Sequence, residues 1–564
     1  MTNLLRMLLP SWLWLIPGLV VGLSLLTCRM AFAQGSPSER PLDSQDPPGF
    51  LVIAPDRGFL GNREIKEAFV AFARANPARL VFISLSEDYD EAVQAKLQQA
   101  LTDLRAEGAT PAAVLPLVLS EADPHLKKAK VLLDELHEQL AFAPPMSADY
   151  LTAQILEDRA RALAKDPAHQ RLVVVGYGAT STDEAQAMRA DLERLAAQVS
   201  LPFKGRKVVL FFPRQAPDEL FEHGNREAEE RLRAAAGGAV VVPFQLGPKH
   251  TGSMQFTRRL EHILHGLPAA YDAREVLPHP NALLWLKKMA NHHIKATREE
   301  LGVVIMPHGA GEYLNEPILQ TIEPLRQKYN LEVAFGMADV DMLQEAIDQV
   351  ERRGARRILV LRLYGISPSL KEETEYVLGL LPSPVASGHH GHHGGQARVR
   401  SGALLYTTGG FDGDPLIAEV LYERVMEISR EPEQETVILL AHGAASDEHD
   451  RFWHQQMEKE AQHIRAKTPQ FRAVFVATVR EDWPEKRDQA VAAVRKLIAQ
   501  ANQAGNRVLV IANRLSGAGP YGKLLQGLSF ELNGKGIAPH PNLTRWMEGA
   551  IEGWIRSLER EPSK

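Results

Sequence analysis

The sequence predicts an α/β protein of parallel sheets, with four related units arranged as two modules. Three observations carry this. From Gly49 onward, short apolar, β-branched runs alternate with amphipathic stretches, the pattern of βαβ crossovers. The run Val303-Val304-Ile305-Met306-Pro307 stops at His308-Gly309, and the same strand–His-Gly start returns at Val437-Ile438-Leu439-Leu440-Ala441 before His442-Gly443. Finally, Pro278-His279-Pro280-Asn281 recurs as Pro539-His540-Pro541-Asn542, with Trp285 and Trp546 at the same offset in the helical stretch that follows.

Each element follows from its own residues. In the first unit (49–165), strands are expected at 51–54, 80–85 and 113–119, and helices at 63–75, 91–107 and 126–139. The second (168–296) starts at 172–175, followed by Gly176-Tyr177-Gly178, a helix from Asp183, and strands 208–212 and 239–243. The third (297–430) has its first strand at 303, then 331–335, 357–364 and 403–407. The fourth (432–564) has 437, 473–478 and 507–512. Units one and two make one module (49–296), and units three and four the other (297–564). Gly413-Asp414-Pro415 occupies in unit three the place of the Pro-His-Pro turn. That turn reads as a rigid entry into a helix, with Asn281 or Asn542 as N-cap. His279 and His540 are thereby given a structural role.

A chain of 564 residues is too long for one ordinary core. Its net charge of −6 argues against a nucleic-acid partner. Arg6, the apolar run 7–27 and Ala31-Phe32-Ala33 before Gln34 read as a secretory signal peptide over 1–33. The rival is an uncleaved membrane anchor, broken by Pro10 and Pro17. Leu25-Leu26-Thr27-Cys28 also permits a weaker lipoprotein reading. Cleavage at Ala33 gives an exported, periplasmic protein; an uncleaved anchor would hold it at the membrane facing the same compartment. Cys28 is the only cysteine, so the mature chain would hold no disulfide. Residues 34–48 read as a linker.

His308 and His442 are the first candidates for chemistry. A histidine at the carboxyl end of a parallel strand lies where open α/β sheets bind ligands. Imidazole can both ligate a divalent metal and accept a proton near neutral pH. His125 and His250 follow the third strands of units one and two and are secondary candidates. Glu312 is a possible carboxylate base or ligand, and Glu372-Glu373 reads more simply as a solvated helix face. His389-His390-Gly391-His392-His393 lies in a Ser/Gly/Pro-rich loop (385–396) and reads as a metal-loading or storage segment. Gly517-x-Gly519-x-x-Gly522 imitates a dinucleotide fingerprint. Pro520 lies inside it and no acidic strand end follows, so no nucleotide is expected.

Unit three resembles the CbiX/SirB family, the small class II chelatases that insert cobalt or iron into sirohydrochlorin. The resemblance rests on the strand ending in His308-Gly309-Ala310-Gly311, on Asn315-Glu316-Pro317, and on Gly354-Ala355-Arg356-Arg357-Ile358-Leu359-Val360. Unit four resembles it through Ala441-His442-Gly443-Ala444, and the first two units do so more distantly. The resemblance implies flavodoxin-like half-domains facing each other across a cleft. It implies a divalent metal (Co²⁺, Ni²⁺ or Fe²⁺) as substrate, a tetrapyrrole partner and no nucleotide. His308 and His442 would hold the metal and help to take the pyrrole protons. The chain departs from the pattern at the family's second histidine, after the third strand. Leu370 stands there in unit three, and unit four reads Ser516-Gly517-Ala518-Gly519-Pro520-Tyr521. Units one and two carry His125 and His250 in those loops, but Asp56 or Arg57, and Tyr177, at the first position. The function expected is metal insertion into a sirohydrochlorin-type tetrapyrrole. The alternative is a non-catalytic exported protein that binds metal or tetrapyrrole on the same scaffold.

Overall fold

The computed structural model describes residues 46–248, 250–251, 254–309, 311–383 and 397–560. Four parallel sheets alternate with helices, as the residue pattern predicts. In each, the unit's first strand lies in the middle, with the second strand on one side and the third on the other. Pro48–Pro55 pairs with Ala78–Ile83 and Thr110–Pro116. Arg171–Tyr177 pairs with Gly205–Phe211 and Ala239–Pro243. Leu301–Pro307 pairs with Asn330–Val333 and Arg357–Leu363. Glu435–Ala441 pairs with Ala473–Thr478 and Arg507–Asn513. A fourth strand adds beyond the third in three units: Ala141–Phe142, Leu404–Gly409 and Glu531–Asn533. In the second unit a single parallel bridge, Val240 to Ala270, takes that place. The crossovers therefore diverge on either side of each first strand, which opens a crevice at its carboxyl end.

The period-two alternation of these strands decides how the units join. Val303 and Ile305 point to one face and share a core with Val437, Leu439 and Ala441 of unit four. Val304 and Met306 point to the other face, into a core of their own unit. Ile438 and Leu440 do the same in unit four. The first module repeats the scheme: Phe50, Val52 and Ala54 share a core with Leu172 and Val174. Leu51 and Ile53, and Val173 and Val175, face separate outer cores. Each such buried valine, leucine, isoleucine or phenylalanine contributes about 1.5–3 kcal/mol, and the inner face is buried only while the two units stay together. That is the physical content of a module.

The Pro-His-Pro turns lead into Pro280–Asn291 and Pro541–Arg560 as expected. The cap differs from the expectation. His279 itself caps its helix, its Nδ1 accepting from the Asn281 backbone N–H at 3.1 Å. His540 does the same for Asn542 at 3.1 Å. Pro280 and Pro541 each take a first helical position, so the ring one residue earlier sits where a capping oxygen would. With Nδ1 accepting, Nε2 carries the proton and donates to Asp158 and to Glu423. Asn281 is buried instead, and its amide donates to the Leu151 carbonyl. In unit three Asp414 caps Pro415–Met426 from the equivalent turn. Among the described residues no helix is long and apolar enough to cross a membrane; the expected signal segment, 1–33, lies outside the described residues.

Candidate functional site

The strand ends of units three and four converge on one cleft. Its empty space, open to solvent, is about 1270 Å³. His308, directly after Leu301–Pro307, and His442, directly after Glu435–Ala441, both line it. Its walls are mostly apolar, with Leu314, Ile318, Leu363, Ile366, Leu370, Phe411 and Trp453 among them. Polar atoms enter through Asp482, Asn513, Arg514, Ser369 and Ser516. Trp453, from the helix Asp447–Lys467 of unit four, reaches across to Gly365 of unit three. A Cβ on Gly365 would lie 1.8 Å from the indole, so only glycine allows this wall to form.

The two histidines are held differently. Gly443 has φ +82°, and a Cβ there would lie 2.8 Å from an Asp450 carboxylate oxygen, so the turn after His442 requires glycine. His442 Nδ1 donates to the Gly443 carbonyl at 2.9 Å, and Nε2 lies 2.8 Å from Asp482 Oδ2 and 3.4 Å from Glu481 Oε1. The His442 ring stands edge-on to Trp483, with centroids 5.5 Å apart. Arg480 ties these segments together, its guanidinium donating to the Ala444 and Ala445 carbonyls. His308 has no such carboxylate bond. Loss of water around it in the cleft lowers its pKa from the ordinary histidine value, and the nearby Arg514 and His442 add to the effect. It therefore presents a neutral imidazole, the form that ligates metal or accepts a proton. Arg514, at the end of the third strand, donates to Glu481 and lies over the Tyr521 ring at 5.7 Å. Beneath the cleft, Asn513 donates to the buried Glu460 at 2.6 Å. Burial pushes the Glu460 carboxyl up to about 8.

Of the other described candidates from the sequence, neither Glu312 nor His125 lines this cleft. Leu370 lines the cleft with φ +53°. Glu312 begins the helix Glu312–Arg326 and is exposed. Glu372 and Glu373 lie in the first turn of Lys371–Val377. His125 follows the Asp123 cap of Pro124–Glu135, its Nδ1 2.8 Å from Asp123 Oδ1. His250 opens a two-residue strand, His250–Thr251. His389, His390, His392 and His393 lie outside the described residues. Gly519 packs on the Arg514 guanidinium, so the Gly-x-Gly loop serves the cleft wall. Among the described residues, no three His, Cys, Asp or Glu side chains come together as a metal cluster.

Sequence reading missed Asp482, Arg514, Glu460 and His449, the last also a lining residue. Arg514 had a signal, since it follows a strand end. Asp482 and Glu460 had none, being brought in from other elements. The equivalent cleft of the first module is small, about 420 Å³. Arg57 and Tyr177 occupy there the positions of His308 and His442, and the guanidinium stacks 5.8 Å over the phenol ring. Arg57 is only 6% exposed and donates to the Gly247 carbonyl and to Gln245.

No protein-family model and no curated protein matches the chain. Among solved structures it is similar to DR2241 from Deinococcus radiodurans, described as a multi-domain protein with structural similarity to chelatases and two additional novel domains. Identity is 18%, coverage 47% of this chain and 56% of that one, and the TM-score 0.32. The match thus spans little more than half of that protein's length. The chain is also similar to the sirohydrochlorin chelatase SirB from Bacillus subtilis subspecies spizizenii, in complex with cobalt. There the identity is 12%, the coverage 45% of this chain and 94% of that one, and the TM-score 0.31. For SirB from Bacillus subtilis with Fe³⁺ the identity is 14%, the coverage again 45% and 94%, and the TM-score 0.33.

Proposed function

We propose that the second module inserts a divalent metal into a tetrapyrrole, in the cleft between units three and four. The observation that carries this reading is that His308 and His442, the ends of two repeated first strands, line one apolar cleft. Its space of about 1270 Å³, which runs out into solvent, exceeds the roughly 300–1,000 Å³ of an ordinary ligand pocket. The neutral His308 offers the metal a nitrogen. His442 Nδ1 is held by the Gly443 carbonyl and Nε2 faces Asp482 at 2.8 Å, so the metal would take Nε2 in place of that contact. The released Asp482 carboxylate would then receive one of the two pyrrole protons, and the other would leave to the solvent that fills the open cleft. So few ligands would hold the ion weakly enough to pass it on. The metal is Co²⁺, Ni²⁺ or Fe²⁺ and is consumed as substrate; no nucleotide takes part. Read as a signal peptide, the amino-terminal segment 1–33 would put this activity outside the cytoplasm, and the His-rich loop (385–396) would gather metal for it.

The test follows metal insertion by absorbance. The full-length protein is mixed with Co²⁺, Ni²⁺ or Fe²⁺, and the tetrapyrrole is offered both as sirohydrochlorin and as mesoporphyrin. At least one pair is expected to react faster than the metal-only control. His308→Ala and His442→Ala are each expected to lower that rate by about 10²-fold or more. Tetrapyrrole binding without acceleration would leave the non-catalytic carrier as the function.

A further inference from the structure

The charge of the cleft does not suit a polyanion. Among the described residues that line it, Arg514 is the single lysine or arginine. That guanidinium is already committed: it donates to Glu481 and is covered by Gly519. The facing carboxylate, Asp482, lies against His442. At the mouth stand Leu314 and Met337, 43% and 46% exposed, with no charge on either. A macrocycle that reaches both histidines brings its periphery against these walls. Each ionised carboxylate on that periphery would lose water without gaining an uncommitted lysine or arginine. Alkyl substituents would instead cover the exposed Leu314 and Met337.

We infer that the cleft selects a macrocycle poor in carboxylates, with a largely alkyl periphery and one or two acidic groups, over a polycarboxylate tetrapyrrole. This rests on the tetrapyrrole reading above and narrows its substrate class. The experiment titrates the full-length protein with the dicarboxylate mesoporphyrin and the octacarboxylate uroporphyrin, following absorbance and tryptophan quenching. Mesoporphyrin is expected to bind at least ~10-fold more tightly. The double variant Leu314→Lys, Met337→Lys alters only exposed side chains, and is expected to narrow or reverse that preference by raising affinity for uroporphyrin. Equal or tighter binding of uroporphyrin by the native protein overturns the inference and leaves the tetrapyrrole reading standing. Binding of mesoporphyrin that ignores the double variant overturns it too, as adsorption elsewhere. Failure of both macrocycles to bind overturns the inference together with the reading on which it rests.

Discussion

At the scale of single residues, the unusual group is Glu460. It lies on the helix Asp447–Lys467, is buried, and has one hydrogen bond, from the Asn513 amide. Burial outweighs that bond and raises the carboxyl to about 8. The folded protein therefore keeps a proton that the unfolded chain releases in the ordinary carboxylate range. Its contribution to stability is complete below that range and is lost as pH rises toward about 8. Glu460→Gln keeps an acceptor for Asn513 and abolishes the titration. Urea unfolding at pH 5 and pH 8 should show the native protein losing a few kcal/mol relative to the variant across that interval. Parallel pH profiles for the two proteins would show that Glu460 is ionised in the fold. The same group illustrates what the sequence hid. A glutamate among Lys459, Glu458 and Gln462 reads as part of a polar helix face. Only the approach of the third strand of unit four, whose Asn513 also lines the cleft, makes it an interior carboxyl.

At the scale of elements, the first strands carry most of what was legible. Their β-branched runs have local causes, so the four central strands and their neighbours could be read from spacing alone. His308 and His442 were found because each continues such a strand. Asp482 was not, because it meets His442 only after a crossover helix returns the chain to the same sheet edge. The Pro-His-Pro turn shows the opposite limit: the turn was legible, but which side chain accepts the capping bond depends on atomic placement. The strand ends also explain why the modules differ. Arg57 in unit one spans to unit two, where Gly247 and Gln245 accept its hydrogen bonds. Gln245 in turn donates to Glu275, whose carboxyl burial raises to about 7. Arg57→Ala would strand these buried acceptors, at a cost of about 3–5 kcal/mol. Denaturant unfolding measures it directly. A loss below about 1 kcal/mol, the range of an exposed pair, would mean that Arg57 is a surface group and not a plug between the units.

For the whole molecule, one topology recurs in both modules with different side chains at the strand ends. The modules meet through ordered contacts: the Gln154 amide donates to the Arg398 carbonyl, the Asn291 amide to the Gly402 carbonyl, and Arg400 pairs with Asp158. Asp158 also receives the His279 hydrogen bond, so the helix entry of module one is coupled to the edge of unit three. In module one, Arg57 stacked on Tyr177 closes the space between the units. In module two, His308 and His442 leave it open. Ligand binding should therefore protect one pair of strand ends and not the other. Hydrogen exchange of the full-length protein, with and without saturating mesoporphyrin, distinguishes them. Slower exchange is expected in peptides covering 306–318, 363–371 and 442–453, where the backbone approaches the open cleft. Peptides covering 55–62 and 176–188 should exchange at the same rate in both states, because Arg57 already excludes a ligand there. Equal protection in both modules would mean that the first cleft opens to ligand despite its arginine, and that the second module's strand-end histidines are not what distinguishes a binding half from a scaffolding half.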